Sequence, residues 1–487
     1  MNYIKIKNTE VINISDIPTL EISNFRAEII KLNKRPIGFF GKKENENTKL
    51  YAVLADDTEG EIYITSTTFS QNDKSYNSIT QDISAYHIFE REFYEEFNIE
   101  PLNHPWLKPV RKQDKEYKFF EMEGEEIHQV AVGPIHAGII EPGHFRFMCN
   151  GEKVYNLEIQ LGYQHKGIEN LFLKGKQFNN QLAESICGDS VIAHNLAYTN
   201  AIEALCKTKI SKRAELIRLI ALELERVAIH IGDMGAIAGD IAYLMGNSVF
   251  GATRTLVINT LLDICGSRFG RGLIKIGGVN FDIDNEKSSK IKSTLEKVEK
   301  DVERMVETMF QSASVMSRLE RTGYLSKEKA IALNIVGMAA RASGIDIDSR
   351  FDFKNTWYQN KKNSKQFEPT GDVYSRFFVR YKETIESISY IKDFLNELEK
   401  YNQEYILTEI TDKMQANSLV VSITEGWRGE VVHIAITDEQ SNISKYKIKD
   451  ASFNNWYGLA MAVQNNDISD FPLCNKSFNL SYCGNDL

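Results

Sequence analysis

The chain has 487 residues, which at about 150 residues per domain predicts two or three domains. With 42% apolar residues, 26% charged residues and 9 prolines, the composition excludes a disordered or collagen-like chain. Lys and Arg number 58 against 67 Asp and Glu, so the net charge of −9 disfavours nucleic acid as a partner.

Cysteine usage and hydropathy indicate a chain that is neither exported nor embedded in a membrane. The six cysteines form no CxxC pair, which favours a reducing compartment over a disulfide scaffold. The first fifteen residues lack the apolar run of a secretory signal. The most apolar long segment, 227–252, contains His230, Asp233 and Asp240, and each such charge at a bilayer centre would cost about 3 kcal/mol. We therefore predict one buried helix there and membrane attachment through partners only.

Sequence patterns change along the chain in a way that predicts two domains. Residues 1–115 carry short β-like runs followed by the helical stretch SAYHIFEREFYEEF, which predicts an α+β domain. A charged connector is predicted at 116–126. From 127 to 487 a strand-like start, a hairpin at Cys149-Asn150-Gly151, long helical patterns and a strand-rich end predict a mainly α domain with peripheral β-strands.

A stripe of ionisable residues follows one predicted apolar helix that begins near Ile210. Glu223, Arg226, His230 and Asp233 lie at offsets of 0, 3, 7 and 10, an arc of roughly 80° at 100° per residue. Such a stripe must reach solvent or be paired in the interior. Two interpretations stay open: an intramolecular ion pair with a satisfied histidine, or a buried proton-conducting or subunit-docking network.

Two further groups of residues are candidates for chemistry. Cys187, Ser190 and His194 have the spacing of one helical side, but one thiol and one imidazole make a poor metal site, so a core cysteine and a hydrogen-bonded histidine are favoured. Glu141 and His144 lie in GPIHAGIIEPGHFRF, whose Gly-Pro and Pro-Gly pairs predict turns. Their side chains suit proton relay. The chain contains no phosphate loop or dinucleotide fingerprint.

A family resemblance rests on nine segments that occur in order: GPIHAGIIEPGHFRF, YQHKGIENL, SICGDSVIAH, LELERVAIH, GDIAYLMG, LIKIGGVNFD, GDVYSRF, GWRGE and DFPLCNKSFNLSYC. From about residue 127 onward the chain resembles the large subunit of energy-converting nickel-iron hydrogenases and the 49 kDa subunit of respiratory complex I. FEREFYEEFNIEPLNHPWLKPVR resembles the 30 kDa subunit of complex I. The resemblance implies a natural fusion with a hydrogenase large-subunit-like fold.

The sequence departs from the hydrogenases at the nickel ligands. The family holds nickel with a CGxC and a DPCxxC motif, whose four thiolate positions fall on Cys187, Ser190, Ser481 and Gly484. A serine hydroxyl is a hard ligand and glycine offers none, so we expect no nickel and no other metal in this chain. Cys483 and Cys474 lie near the second motif and are weak substitutes.

The match to the quinone pocket of complex I is mixed. Asp240 matches the aspartate that partners the quinone histidine, and His144 is a rough counterpart of that histidine. Leu182 falls on the quinone tyrosine, so the phenolic donor is missing. Arg428 and His194 match residues near the hydrogenase metal centre and are interpreted as structural relics.

The resemblance implies an electron-transfer subunit of a membrane-bound, ion-translocating oxidoreductase complex with a degenerate nickel-iron site. It implies a 4Fe-4S cluster in a small partner subunit, antiporter-like membrane subunits, and a peripheral position on the cytoplasmic side. The alternatives are a quinone-reducing subunit and a catalytically inert structural subunit, whereas the lost thiolates disfavour an active nickel hydrogenase. The residues expected to form the cavity and proton relay are Glu141, His144, Asp240, Glu223, Arg226 and His230.

Overall fold

The computed structural model describes residues 1–111, 117–136, 140–174, 178–353, 355–359, 369–410 and 413–487. The chain is a mixed α/β protein with 46% helix and 20% strand. The first residue of the predicted connector, 116, lies outside the described residues, and the predicted domain boundaries stay a prediction.

The N-terminal region is an α+β unit built on a twisted sheet. Its strands are β1 (Ile4–Ile6), β2 (Val11–Asn13), β3 (Thr19–Leu20), β4 (Arg35–Glu44), β5 (Asn47–Asp56), β6 (Glu61–Phe69), β7 (Ser75–Asn77) and β8 (Glu100–Leu102), and its helices are α1 (Ile22–Leu32) and α2 (His87–Phe97). The main sheet has the order β1-β6-β5-β4, with β3 parallel to β6. Aromatic residues of α1, α2 and the sheet, among them Phe25, Phe39 and Phe93, form one core.

A three-stranded antiparallel sheet and three helices follow. The strands are β9 (Ile127–Val132), β10 (His144–Asn150) and β11 (Lys153–Gln160), and the helices are α3 (Ile168–Lys174), α4 (Asn180–Ala183) and α5 (Val191–Leu205). Asn150 pairs with Lys153 across the turn between β10 and β11, so the hairpin predicted at Cys149-Asn150-Gly151 is present.

A helical bundle forms the largest core of the described residues. Its long helices are α6 (Lys212–Asp240), α7 (Leu244–Cys265), α8 (Asn285–Phe310) and α14 (Val373–Leu398). Shorter elements between them are β12 (Ile274–Lys275), β13 (Gly278–Val279), α9 (Ala313–Leu319), α10 (Lys327–Ala332), α11 (Gly337–Ala342), α12 (Ser349–Asp352) and α13 (Thr356–Gln359). No helix within these described ranges is both long enough and apolar enough to span a bilayer.

The prediction of a single buried helix over 227–252 is wrong. Helix α6 ends at Asp240 and α7 begins at Leu244, because the chain turns at Ala242, where φ is +57°. The turn brings Leu244 to the surface, where 71% of it is exposed. Asp240 is therefore a surface residue at a helix end.

The C-terminal part returns to strands, and the first part of the chain completes their sheet. The elements are β14 (Ser418–Glu425), β15 (Glu430–Thr437), β16 (Ile443–Lys449), α15 (Ser452–Val463) and α16 (Phe471–Phe478). The antiparallel sheet has the order β16-β15-β14-β2, so the edge strand β2 comes from the N-terminal region. Apolar side chains of this sheet and of the N-terminal sheet, including Val53 and Ile434, share one core.

A buried ion cluster links the two sheets. Arg35 on β4 donates two hydrogen bonds to the carboxylate of Glu430 on β15, at 2.5 and 2.9 Å, and Lys449 lies 2.7 Å from the same group. Burial alone would raise the pKa of Glu430, but Arg35 and Lys449 outweigh burial and lower that pKa to about 2. The pairing therefore stabilises the contact between the two sheets.

We predict that Arg35→Met lowers the free energy of unfolding at pH 7 by ~3–5 kcal/mol, because it leaves Glu430 buried with one cation fewer. The stabilisation by Glu430 is complete above its unfolded pKa of about 4.3 and is lost as the pH falls towards 2, so the deficit should shrink in acid. Urea unfolding from pH 7 to pH 3 measures both effects. Lys392→Met, which removes a partly exposed ion pair with Glu299, is the control and should cost less than ~1 kcal/mol. An equal loss in both variants would contradict the prediction.

Candidate functional site

The guanidinium of Arg428 lies beside two of the four positions to which the resemblance assigns nickel thiolates. Its two terminal nitrogens each donate to a carboxylate oxygen of Asp189 at 2.7 Å. Nη1 also lies 3.6 Å from Cys187 Sγ and 3.4 Å from Ser190 Oγ. The side chain is buried and lies over the ring of Trp427, 3.9 Å from its centroid. A fixed cation thus contacts two of the four ligand positions.

Two glycines place this arginine. Arg428 belongs to the tight turn between β14 and β15, which is closed by paired hydrogen bonds between Gly426 and Gly429. Gly429, with φ of +140°, lies against Gly337 at the start of α11, and a Cβ on Gly429 would lie 2.8 Å from the Gly337 Cα atom. Only glycines allow the two backbones to approach this closely.

The C-terminal motif, residues 479–484, supplies the hydroxyl of Ser481 at one thiolate position and the thiol of Cys483 one residue before the other. Ser481 Oγ lies 3.3 Å from Cys187 Sγ and accepts a hydrogen bond from the backbone of Cys483 at 3.2 Å. A hydrogen bond with Cys187, together with burial, raises the pKa of Cys483 well above its usual value, so this thiol stays protonated. Cys474 lies elsewhere, beside Arg376 and Gly323, and cannot substitute for a lost ligand.

These residues do not fit a nickel-iron centre. Cys187 provides the one sulfur at the four motif positions, and Arg428 already places a positive charge beside it. A Cβ on Gly484 would lie only 3.3 to 3.5 Å from atoms of Asp450 and Phe453, so this position is closely packed as well. A soft metal that needs several thiolates has neither the donors nor the space here.

The prediction that Cys187, Ser190 and His194 share one helical side is wrong. Helix α5 begins at Val191, so Cys187 and Ser190 precede it. Of these three residues, Cys187 and Ser190 contact Arg428, whereas the imidazole of His194 contacts His433 and Asp450.

The structure places Glu223, Arg226 and His230 on α6 with their side chains fully buried. Glu223 accepts hydrogen bonds from Arg226 Nε at 3.1 Å, from Tyr358 Oη at 2.6 Å and from Ser387 Oγ at 2.6 Å. Each carboxylate oxygen is thereby paired, as burial of a charge requires.

Glu383 on α14 is the anion that Arg341, His230 and Arg226 share. It accepts from Arg341 Nε at 2.6 Å and from His230 Nε2 at 2.8 Å, and Arg226 lies 3.9 Å away. Burial alone would raise the pKa of Glu383, but Arg341 and His230 hold it well below its usual range. Burial lowers the pKa of His230, and Glu383 offsets only part of that effect, so the imidazole is neutral near pH 7.

The remaining predicted relay residues lie outside this buried cluster. Glu141 is 39% exposed at its side chain and lies 3.9 Å from Lys166. His144 Nδ1 lies 3.0 Å from the carbonyl oxygen of Gly133. Partial burial raises the pKa of Asp240, and the charge of Lys476 offsets part of that effect. Among the described residues no ion pair joins Asp240 to His144, so the pair that the complex I resemblance implies is not formed.

Sequence reasoning missed the partners of the α6 stripe. Helix α14 carries Arg376, Arg380, Glu383 and Ser387, all fully buried, at offsets of 0, 4, 7 and 11. That spacing is a second ionisable stripe at helical period, and it was present in VYSRFFVRYKETIESISY. Asp189, inside the degenerate CGxC segment, was a further signal for the partner of Arg428.

We predict that Glu383→Gln lowers the free energy of unfolding at pH 7 by ~3–5 kcal/mol, because Arg341 and Arg226 lose the buried anion that balances them. Urea unfolding monitored by circular dichroism measures the change. Glu299→Gln, which alters a partly exposed carboxylate, should leave the unfolding midpoint nearly unchanged. If the two substitutions have equal effects, the cluster does not support the core in the way proposed.

Comparison with known proteins gives the family. The sequence profile of the family described as respiratory-chain NADH dehydrogenase, 49 Kd subunit, matches residues 240–420. An NADH-quinone oxidoreductase subunit of Clostridium beijerinckii is 30% identical over 270 residues, covering 55% of this chain and 73% of that protein. Hydrogenase-4 component G of Escherichia coli is 28% identical over 383 residues; the match covers 78% of this chain but only 65% of that protein.

The fold is also found in a solved assembly. A chain in the structure of the membrane-bound sulfane sulfur reductase, an archaeal respiratory membrane complex, superposes with a TM-score of 0.68 at 19% identity. The superposition covers 74% of this chain and 99% of the other. The sequence matches show the family: the chain belongs to the family of the respiratory-chain NADH dehydrogenase 49 kDa subunit, whose members include group 4 membrane-bound hydrogenase large subunits.

Proposed function

We propose that this chain is a nickel-free large subunit of a membrane-bound, ion-translocating oxidoreductase complex. The observation that carries the proposal is the position of Arg428, whose guanidinium contacts Asp189, Cys187 and Ser190. An arginine side chain keeps its positive charge at neutral pH, because the guanidinium does not lose its proton. The ancestral metal centre is thereby replaced with an organic cation.

The surface beside Arg428 supports docking of an iron-sulfur partner. Gly188 is exposed, and a Cβ on it would meet no atom within 4 Å. The side chain of Asp189 is 37% exposed although it binds the buried Arg428. A small subunit with a 4Fe-4S cluster that docks here would bring its cluster near the Arg428 site, and antiporter-like subunits would attach the assembly peripherally to the cytoplasmic side of the membrane.

The buried cluster of α6 and α14 supports a role in charge coupling. Arg341 joins Glu383 to Glu425, and burial raises the pKa of Glu425 above its usual value. Glu425 and Arg350 also line a polar cleft of about 660 Å³, which connects the cluster to solvent. Groups with displaced pKa values that reach from solvent to a redox site are suited to exchange protons when the charge at that site changes.

Quinone reduction is a weaker proposal for this chain. Leu182 has no phenolic hydroxyl, and Asp240 and His144 have separate partners. A purely structural subunit is the other alternative, and it differs by requiring no proton transfer through the chain.

We predict that the tagged chain, purified with its complex from detergent-solubilised native membranes, contains less than ~0.1 nickel per chain, because the site lacks a competent thiolate set. It should co-purify with an iron-sulfur subunit and membrane subunits. Elemental analysis, mass spectrometry and a hydrogen-evolution assay test this. One nickel per chain, or hydrogen evolution by the complex, would overturn the proposal.

We further predict that Glu141→Gln slows proton-coupled turnover of the assembled complex at least ~100-fold while assembly is retained, as expected for loss of a proton-transfer group. Burial, with a smaller contribution from the charge of Glu141, raises the pKa of Tyr482, the residue before Cys483, to about 12. Glu152→Gln, in the exposed hairpin between β10 and β11, is the matched control. Unchanged turnover of the Glu141 variant would favour the structural alternative.

A further inference from the structure

A second buried polar chain runs through the molecule, separate from the α6 cluster. The hydroxyl of Tyr446 on β16 lies 2.7 Å from His433 Nδ1 on β15. His433 Nε2 lies 3.1 Å from His194 Nδ1 on α5, and His194 Nε2 lies 3.3 Å from Asp450 Oδ2. All four residues are at most 1% exposed. Three hydrogen bonds therefore join four titratable groups in an unbroken line.

One set of histidine tautomers satisfies all three hydrogen bonds with an ionised Asp450. Burial would raise the pKa of Asp450, but the hydrogen bond from His194 leads the effects that lower it to about 2, so Asp450 is an acceptor. Burial lowers the pKa of His433 and raises that of Tyr446, so both are neutral at pH 7. Asp450 accepts from His194 Nε2–H, His194 Nδ1 accepts from His433 Nε2–H, and His433 Nδ1 accepts from the Tyr446 hydroxyl.

The two ends of this line lie in different surroundings. At the outer end, Tyr446 forms part of the wall of a cleft of about 730 Å³, together with Glu92, Glu169, His165 and Lys445. At the inner end, a carboxylate oxygen of Asp450, a ring nitrogen of His194 and the Sγ atom of Cys483 all lie within 4.8 Å of one another. The line thus runs from the wall of a cleft lined by acids and bases to the neighbourhood of the Cys483 thiol.

We propose that Tyr446, His433, His194 and Asp450 conduct a proton between this cleft and the interior next to Cys483. A proton arrives at the Tyr446 oxygen while the original hydroxyl proton passes to His433 Nδ1. The Nε2 proton of His433 passes to His194 Nδ1, and the Nε2 proton of His194 passes to Asp450 Oδ2. One proton enters and one reaches Asp450, and each imidazole ends with its N–H on the other ring nitrogen.

The path works in both directions but carries one proton at a time. After a transfer every hydrogen bond points the opposite way, so a second inward proton needs either ring rotation or return of the first. Packed, fully buried imidazoles rotate with difficulty. The arrangement therefore suits a reversible step, in which a proton enters when negative charge builds up inside and leaves when that charge is removed.

This inference rests on the hydrogen-bonded geometry and does not depend on the proposed electron transfer. Its test uses the full chain with histidine nitrogens labelled with ¹⁵N, and measures by NMR how fast the ring N–H protons of His433 and His194 exchange with D₂O. We expect Tyr446→Phe to slow this exchange at least ~10-fold, because the cleft end of the path is removed. A purely structural chain predicts the reverse, since loss of a hydrogen bond loosens the site and speeds exchange.

Tyr198→Phe is the matched control. Tyr198 is a buried neighbour of Tyr446, stacks on the same Phe172, and its hydroxyl accepts from the backbone of Asn179 rather than contacting a histidine. In the Tyr198→Phe variant, the ring N–H protons of His433 and His194 should exchange at least as fast as in the unmodified chain. If Tyr446→Phe does not fold, His433→Gln makes the same test on the His194 proton. Exchange that is unchanged or faster in the Tyr446 variant, or in its His433 replacement, would overturn the proposal.

Discussion

The requirement that every buried charge has a partner organises this molecule. Helix α6 carries Glu223 and Arg226 into the centre of an apolar bundle, where an unpaired ion would cost several kcal/mol. Arg226 lies close to Glu383 on α14, and Glu223 pairs with Arg350 on α12, so the ion pairs fix how these elements pack. The same constraint brings Arg428 and Asp189 together at the surface end of the core. The pairing of buried charges therefore determines both how these elements pack and where Arg428 is held.

The order of elements could be predicted from the sequence, whereas several junctions could not. The α+β start, the hairpin after β10 and the strand-rich end follow from periodicity and turn residues. The break between α6 and α7 was missed, because Ala242 adopts a left-handed conformation with no glycine to signal it. The prediction that Cys187, Ser190 and His194 share one helical side fails, because spacing alone does not show that Ser190 is the residue before the helix. Junctions depend on tertiary packing, which periodicity does not report.

The candidate site shows a similar division. A single helix pattern identified Glu223, Arg226 and His230 as a set, because one face of one helix is a local property. Their partners on other helices depend on how the elements pack, and a helical pattern does not reveal which of two stripes will meet. The line from Tyr446 to Asp450 joins three separate segments and leaves no periodic signal in any of them. Glu141, His144 and Asp240 were grouped by resemblance, and their described contacts differ from that grouping.

The N-terminal strand β2 has a consequence for biosynthesis. It completes a sheet whose other three strands are the last strands to be synthesised, so its partner edge does not exist until more than four hundred residues have been translated. Until then β2 has no strand to pair with. Afterwards it covers a sheet edge that would otherwise be open to pairing with other chains. Because β2 belongs to the same polypeptide as the late-forming edge, it is available at once and at high effective concentration to cover that edge.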